Sequence, residues 1–308
     1  MKAKAANTRK KYRYAYDKFT KWCSSFDQYL SPLPATDKTV SMYLIHIAEI
    51  SNSVSKIQEA SFAISWMHKL AGFSDPTISS LCTQVKEGAI RDCSKPVVKK
   101  EPIKAQHLHA LVQNLAKDDS LSKLRTVTMC LLGYSGFLRF SELSNIRRQD
   151  ITFFTGYVSI FLPQSKTDKH KQGSYVKISK TSTVTCPVKI LLKYLEKADI
   201  SENSNEFIFR QLTYFKKLGT YKLRSVDKPI SYSRSREIIL KELENIGLNK
   251  SKFGIHSLRS GGATAAAESG VSDRLFKKHG RWKTDKAKDG YVTENLDEKL
   301  SVAKNLGI

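Results

Sequence analysis

Acidic residues are scarce in this chain. In 308 residues, 29 Asp and Glu stand against 52 Lys and Arg, a formal net charge of +23. A surface so positive repels itself unless its working partner is a polyanion, which favours nucleic acid over an acidic peptide or a membrane surface; a merely solubilising charge is the plainer alternative. Paired cysteines are also missing. Cys23, Cys82, Cys93, Cys130 and Cys186 form no CxxC and have no His at zinc spacing, so neither a disulfide framework nor a metal site is expected, and a reducing, intracellular compartment fits them. No run approaches the roughly 20 apolar residues of a membrane span, and the N-terminal MKAKAANTRKKYRYAYDKF has no apolar core of signal-peptide length. Internal repeats and low-complexity tracts are absent too. What is present is ordinary globular material, 40% apolar and 10% aromatic, in a chain long enough for two domains with separate cores.

Helical periodicity dominates the first third. Tyr12, Tyr16, Phe19 and Cys23 recur at helical spacing between Thr8 and Phe26, while Arg9, Lys10, Lys11, Arg13, Lys18 and Lys21 crowd the remaining surface. SPLP at Ser31–Pro34 breaks the pattern. Further helices are expected from Asp37 to Ile50, from Ser55 to Leu70 with Gly72 as its stop, and from the Asp75–Pro76 cap to Cys93. Ser94–Lys104, with two prolines and four lysines, reads as a linker between domains 1–98 and 99–308. Beyond it, helices are expected over Ala105–Lys117 and Leu121–Tyr134. Alternation at Tyr157, Ser159 and Phe161 and again at Tyr175–Ile178 predicts an antiparallel hairpin whose turn is the basic SKTDKHKQG. Helices resume at Pro187–Ala198 and Ser231–Ile246. The fold class is therefore mainly α with a small antiparallel β-sheet.

Four separated sites carry the chemistry: Arg139 in GFLRFSEL, Lys166 in QSKTDK, His256 and Arg259 in HSLR, and Trp282 nine residues before Tyr291 in GRWKTDKAKDGY. Two guanidiniums suit the charge of a five-coordinate phosphoryl transition state, because each offers a rigid fork of donors. A tyrosine phenol, with an ordinary pKa of about 10, is a better nucleophile and leaving group than a serine hydroxyl. Histidine, ordinarily titrating near pH 6.5, suits proton transfer close to neutrality. An indole N–H can donate to a phosphate oxygen while its ring packs the site. Each residue alone has a plainer reading. Arg139 and Glu142 could form an ordinary helix ion pair worth about 0.3–0.5 kcal/mol, His256, Trp282 and Tyr291 could be core residues, and Lys166 has rivals in Lys169 and Lys171 on the same turn.

Taken together, in this order and at these spacings, the residues resemble the tyrosine recombinase (phage-integrase-type) family from about Gly136 to Tyr291. The resemblance implies a core-binding, SAM-like helical bundle over 1–98, an α+β catalytic domain over 99–308, and a C-shaped grip on double-stranded DNA. It makes Tyr291 the nucleophile that forms a 3′-phosphotyrosyl link, Arg139 and Arg259 the phosphate clamps, His256 a base or phosphate donor, and Lys166 the acid for the departing 5′ oxygen. Trp282 stands where many members carry His, and Glu142 matches an orienting carboxylate. No metal, cofactor or small-molecule ligand is implied, and a homo-tetramer on two DNA sites is. A type IB topoisomerase-like enzyme and a catalytically silent DNA binder are the alternatives. GGAT and GRW look more like the recombinases of eukaryotic mobile elements, which would place the protein in a nucleus. Leu296, Leu300, Ala303 and Leu306 or Gly307 mark a C-terminal stripe that docks either on a neighbouring protomer, as in the family, or on its own domain.

Overall fold

The computed structural model describes residues 4–165, 168, 172–293, 300, 301 and 303–307, with Ala116 and Lys117 in backbone only. Lys166 and its rivals Lys169 and Lys171 lie outside the described residues, as does Leu296 of the C-terminal stripe. Two compact units divide the chain, Met1–Val98 and Lys99–Ile308.

The first unit is built from α1 (Ala6–Cys23), α2 (Asp37–Ser51), α3 (Val54–Ala71) and α4 (Ser80–Cys93). Its core takes the apolar stripe of α1, with Phe19 fully buried and its ring 5.0 Å from that of Tyr43. Two helix ends differ from the sequence expectation. The first helix stops at Cys23, not Phe26, because Ser24 and Ser25 turn their hydroxyls back onto the Thr20 and Trp22 carbonyls, at 3.0 and 2.7 Å. The fourth begins late because Asp75 captures Thr77 through both its backbone N–H and its hydroxyl, closing a one-turn 3₁₀ helix over Pro76–Ile78. Ser79 then caps α4.

The second unit runs α5 (Ala105–Lys117), α6 (Leu121–Ser135), α7 (Phe140–Ser144), β1 (Ile151–Phe153), β2 (Tyr157–Leu162), β3 (Ser174–Ser179), α8 (Pro187–Lys197), β4 (Leu212–Phe215), β5 (Thr220–Leu223), α9 (Tyr232–Asn245), α10 (His256–Glu268), α11 (Asp273–Gly280) and α12 (Asp285–Asp289). It is mainly helical with a small antiparallel sheet. β2 and β3 pair with Val158 opposite Ile178 and Ile160 opposite Val176, which puts these four buried residues on the core face. β1 adds a third strand at the other edge of β2; three residues are too few for alternation to be visible in sequence. A separate ribbon, β4–β5, also escaped the sequence reading, its turn made at Gly219 with φ +62°.

α6 is the axis of this unit, with every residue from Leu124 to Gly133 buried. A helix buried all round must be approached closely by its neighbours, and α10 uses two adjacent glycines, one against α6 and one against the segment before α5. A Cβ on Gly261 would lie 1.9 Å from the Ile103 carbonyl oxygen, and one on Gly262 would lie 2.1 Å from that of Tyr134. The Ile103 N–H donates to the Ser257 carbonyl at 2.9 Å, so the strand-like segment before α5 is laced to the first turn of α10.

Because backbone atoms block both positions, Gly261→Ala or Gly262→Ala is expected to lower the unfolding free energy by about 2–3 kcal/mol. Gly88→Ala in α4, with nothing within 4 Å of the new Cβ, should instead raise it by about 0.5–1 kcal/mol. Urea unfolding followed by circular dichroism distinguishes them; equal effects would refute the close-approach argument.

Candidate active site

The site is assembled at the C-terminal end of α6, where helix geometry leaves carbonyl oxygens without intrahelical partners and a partial negative charge. After Ser135 the chain turns sharply: Gly136 is crowded on three sides and Phe137 adopts a left-handed φ of +46°. That conformation costs a non-glycine residue about 1–2 kcal/mol. It is held by the Phe137 ring, which packs against His279, Phe276 and Trp282 with centroids 4.6, 5.9 and 5.9 Å away. The turn delivers Arg139 to the N-cap of α7, where Glu142, at N3, accepts the Arg139 N–H at 2.9 Å and its guanidinium at 2.7 Å. Both side chains are nearly buried, so this is not the exposed helix pair that sequence alone allows.

Arg259 comes from α10 and is fully buried. Its Nη2 donates to the Gly280 carbonyl at 2.6 Å and its Nη1 to the Phe137 carbonyl. The guanidinium carbon lies 4.7 Å from the ring centroids of both Trp282 and Tyr291, which places the cation between two aromatic faces. His256, three residues earlier, is exposed. The HSLR spacing thus brings the two residues onto one turn of α10 in unequal surroundings, one at its outer end and one inside the core.

α11 and the segment after it supply the rest. Gly280 is the last residue of α11, and a Cβ there would lie 1.9 Å from the Trp282 ring, so the indole occupies the space that a side chain would need. Arg281 follows with φ +56°, again left-handed and again not glycine. Its guanidinium donates to Glu142 Oε2 and to the Phe137 carbonyl, both at 2.9 Å, to the His279 carbonyl at 2.8 Å, and to the Gly136 carbonyl at 3.3 Å. His279 Nε2 donates to the Ser135 carbonyl at 2.8 Å. Three consecutive carbonyls at the end of α6 are therefore covered by basic side chains from α10 and α11. Tyr291, half-buried, has its ring 5.6 Å from Trp282, and the Thr293 N–H donates to Thr264 Oγ1 at 3.0 Å, which ties the tyrosine segment to α10.

Charge dominates the electrostatics. Glu142 is surrounded by Arg139, Arg281 and, at 3.8 Å, Arg259. Burial alone would raise its pKa, but Arg281, followed by the charge and hydrogen bonds of Arg139, holds the carboxyl below its ordinary value. Burial, then the neighbouring Arg139 and Arg281, pulls Arg259 below the usual guanidinium range. Three cations against one carboxylate leave a local excess of positive charge in a desolvated place. The Trp282 indole N–H adds an unused donor: it is buried and has no hydrogen-bond partner among the described residues. A group bringing oxygens and negative charge satisfies both conditions. No cluster of His, Cys, Asp and Glu suited to a metal occurs among the described residues.

Of the residues singled out from sequence, the structure brings together Arg139, Arg259, Trp282 and Tyr291 around Glu142. His256 stands on the same helix as Arg259, and Lys166 falls outside the described residues. Arg281 and His279 were missed as site residues. Their signal was a basic cluster in the last turn and C-cap of α11, a place that basic side chains favour and that reads as ordinary capping.

The Phage integrase family model matches residues 101–297. An integrase/recombinase XerD homologue of Selenomonas ruminantium is 30% identical over 302 residues, covering 95% of this chain and 83% of its own. Among solved structures, XerH site-specific recombinase bound to a palindromic difH substrate in a post-cleavage complex superposes with a TM-score of 0.65 at 12% identity, covering 96% of this chain and 79% of that one. The Tn1549 transposon integrase in complex with transposon right-end DNA gives a TM-score of 0.62 at 11% identity, covering 100% of this chain and 96% of that one.

Burial, assisted by the charges of Arg281 and Arg259, outweighs the Ser135 carbonyl and lowers the pKa of His279 below 6.5. The unfolded chain therefore binds the proton more readily. Stability from this group is complete above about pH 6.5 and falls as the pH drops below it. His279→Gln is expected to flatten that part of the stability profile between pH 7 and 5. Parallel profiles for the variant and wild type would remove His279 from the account.

Proposed function

The chain belongs to the phage integrase family, and on that premise we propose that it is a site-specific tyrosine recombinase, cutting and rejoining double-stranded DNA through a 3′-phosphotyrosine intermediate. The observation that carries this reading is the buried Trp282 indole N–H, without a partner among the described residues, beside Arg259, itself between the rings of Trp282 and Tyr291. A phosphodiester seated there supplies the acceptor oxygens and the negative charge that this cluster lacks.

In the step itself, the Tyr291 phenol oxygen attacks phosphorus, forming a P–O bond to the tyrosine as the bond from phosphorus to the 5′ oxygen breaks. Arg139 and Arg259 neutralise the charge that spreads over the non-bridging oxygens, and Trp282 donates to one of them. His256 takes part in moving the phenol proton, and Lys166 gives a proton to the departing 5′ oxygen. Because one phosphate ester replaces another, the bond energy is kept and the reverse attack reseals the strand without an external energy source.

Met1–Val98 serves in this reading as a DNA-binding domain and Lys99–Ile308 as the catalytic one. Support for the first comes from Lys10, Arg13, Lys18 and Lys21, exposed along α1, where they suit a phosphate backbone. The DNA-bound state of the structural relatives supports the same partner, and strand exchange between two sites calls for a homo-tetramer.

Incubation with labelled duplex in EDTA, followed by denaturing electrophoresis, should give a covalent protein–DNA band in wild type and none in Tyr291→Phe. A band retained by the Phe variant would exclude Tyr291 as nucleophile, and DNA binding without a band across many sites would favour a silent binder. Trp282→Phe keeps an aromatic ring and removes the donor; single-turnover cleavage is expected to slow by about 100-fold, the usual effect of losing one transition-state hydrogen bond. An unchanged rate would separate the indole N–H from the chemistry.

A further inference from the structure

We infer that Arg281 is a positioning residue for strand cleavage, an inference that rests on the recombinase reading above: it occupies Glu142 and the Phe137 carbonyl so that Arg259 stays turned toward Trp282 and Tyr291. The guanidinium of Arg281 is nearly buried and donates only to protein groups, bridging α7, the turn after α6 and its own helix end. Both of its Nη groups are committed to protein acceptors. The backbone at Arg281 nevertheless sits at φ +56°, where glycine is costless and arginine is strained. Strain at a residue whose side chain makes this many internal bonds points to a use for that side chain.

The carboxylate of Glu142 has two oxygens and three cationic neighbours. The Arg139 guanidinium takes Oε1 at 2.7 Å; Oε2 accepts both the Arg139 N–H and the Arg281 guanidinium at 2.9 Å, while Arg259 stands 3.8 Å from it, beyond hydrogen-bond distance. In a desolvated site a guanidinium and a free carboxylate oxygen attract strongly. Without Arg281, that oxygen keeps only the neutral Arg139 N–H and loses its cationic partner, and closing the remaining gap draws Arg259 away from the two rings by about the same distance. A displacement of about 1 Å in a clamping group is enough to cost on the order of 100-fold in rate. Arg281 also shares the Phe137 carbonyl with Arg259, so its loss loosens both partners of the clamp at once.

Two consequences separate this role from plain structural support. Removing Arg281 should slow the chemical step and leave DNA affinity nearly intact. Removing the charge of Glu142 as well should restore part of the rate, because Arg259 then has nothing to collapse onto.

The test uses the full-length protein and a nicked duplex that traps the covalent adduct, with DNA affinity and single-turnover adduct formation measured separately for wild type, Arg281→Gly, Arg281→Lys, Glu142→Gln and the Arg281→Gly/Glu142→Gln double variant. Arg281→Gly removes the backbone strain together with the side chain; Arg281→Lys keeps a charge without the fork and covers the case in which the glycine variant does not fold. The expected result is affinity within about 2-fold of wild type, adduct formation slowed by about 10–100-fold in Arg281→Gly and less in Arg281→Lys, and a double variant faster than Arg281→Gly. Wild-type rate in Arg281→Gly or Arg281→Lys, or a double variant no faster than Arg281→Gly, would overturn the inference. Absence of adduct from wild type itself would instead refute the recombinase reading on which it depends.

Discussion

A single buried carboxylate holds the second unit's site in shape. Glu142 hydrogen-bonds two guanidiniums and faces a third, cations that would otherwise repel one another inside the protein, and it does so from the first turn of a five-residue helix whose own start it caps. One carboxylate is too little for three cations. The deficit is shared by the carbonyls at the end of α6, which supply partial negative charge at Ser135, Gly136 and Phe137, and by two aromatic faces around Arg259. None of these groups cancels the excess, and the site stays poised for an anion. The strained turn at Phe137 follows from the same requirement: only a sharply bent chain aims a carbonyl at Arg259 and Arg281 while setting Arg139 at the N-cap of α7.

Much of the architecture is legible in sequence because its causes are local. The stripe of Tyr16, Phe19 and Cys23 is core as its spacing implies, and the alternation in β2 and β3 follows from one buried face. What was hidden depends on competition between neighbouring groups or on elements too short to show a period. Asp75 reads as a helix cap and is a cap, but for a single 3₁₀ turn, because Ser79 offers a second start four residues on. β1 has three residues. β4 reads LTYF and β5 TYKL, and both sides of most of the ribbon face solvent, so no apolar period marks it.

The chemistry divides differently. Residue types and order single out Arg139, Arg259, Trp282 and Tyr291, and the fold draws these four together; family resemblance, more than any periodicity, made them visible. Arg281 was invisible for a physical reason. Its partners lie about 140 residues earlier in the chain, and no local rule connects an arginine after a glycine to a carboxylate in another helix. The two glycines after HSLR are a similar case: they look like helix weakeners, and they are the condition for α10 to reach the backbone at Ile103 and Tyr134.

The contact between Gly280 and Trp282 constrains the order in which this site can change over evolution. With the indole in place, any side chain at position 280 meets the ring, so substitutions there are closed. A smaller residue at 282 would open that space, after which position 280 could vary freely and drift. The return path would then be blocked, since an indole could not be reinstated until glycine had been restored. A lineage that keeps tryptophan here therefore keeps glycine with it, and one that gives up the tryptophan gains a freedom that is hard to reverse.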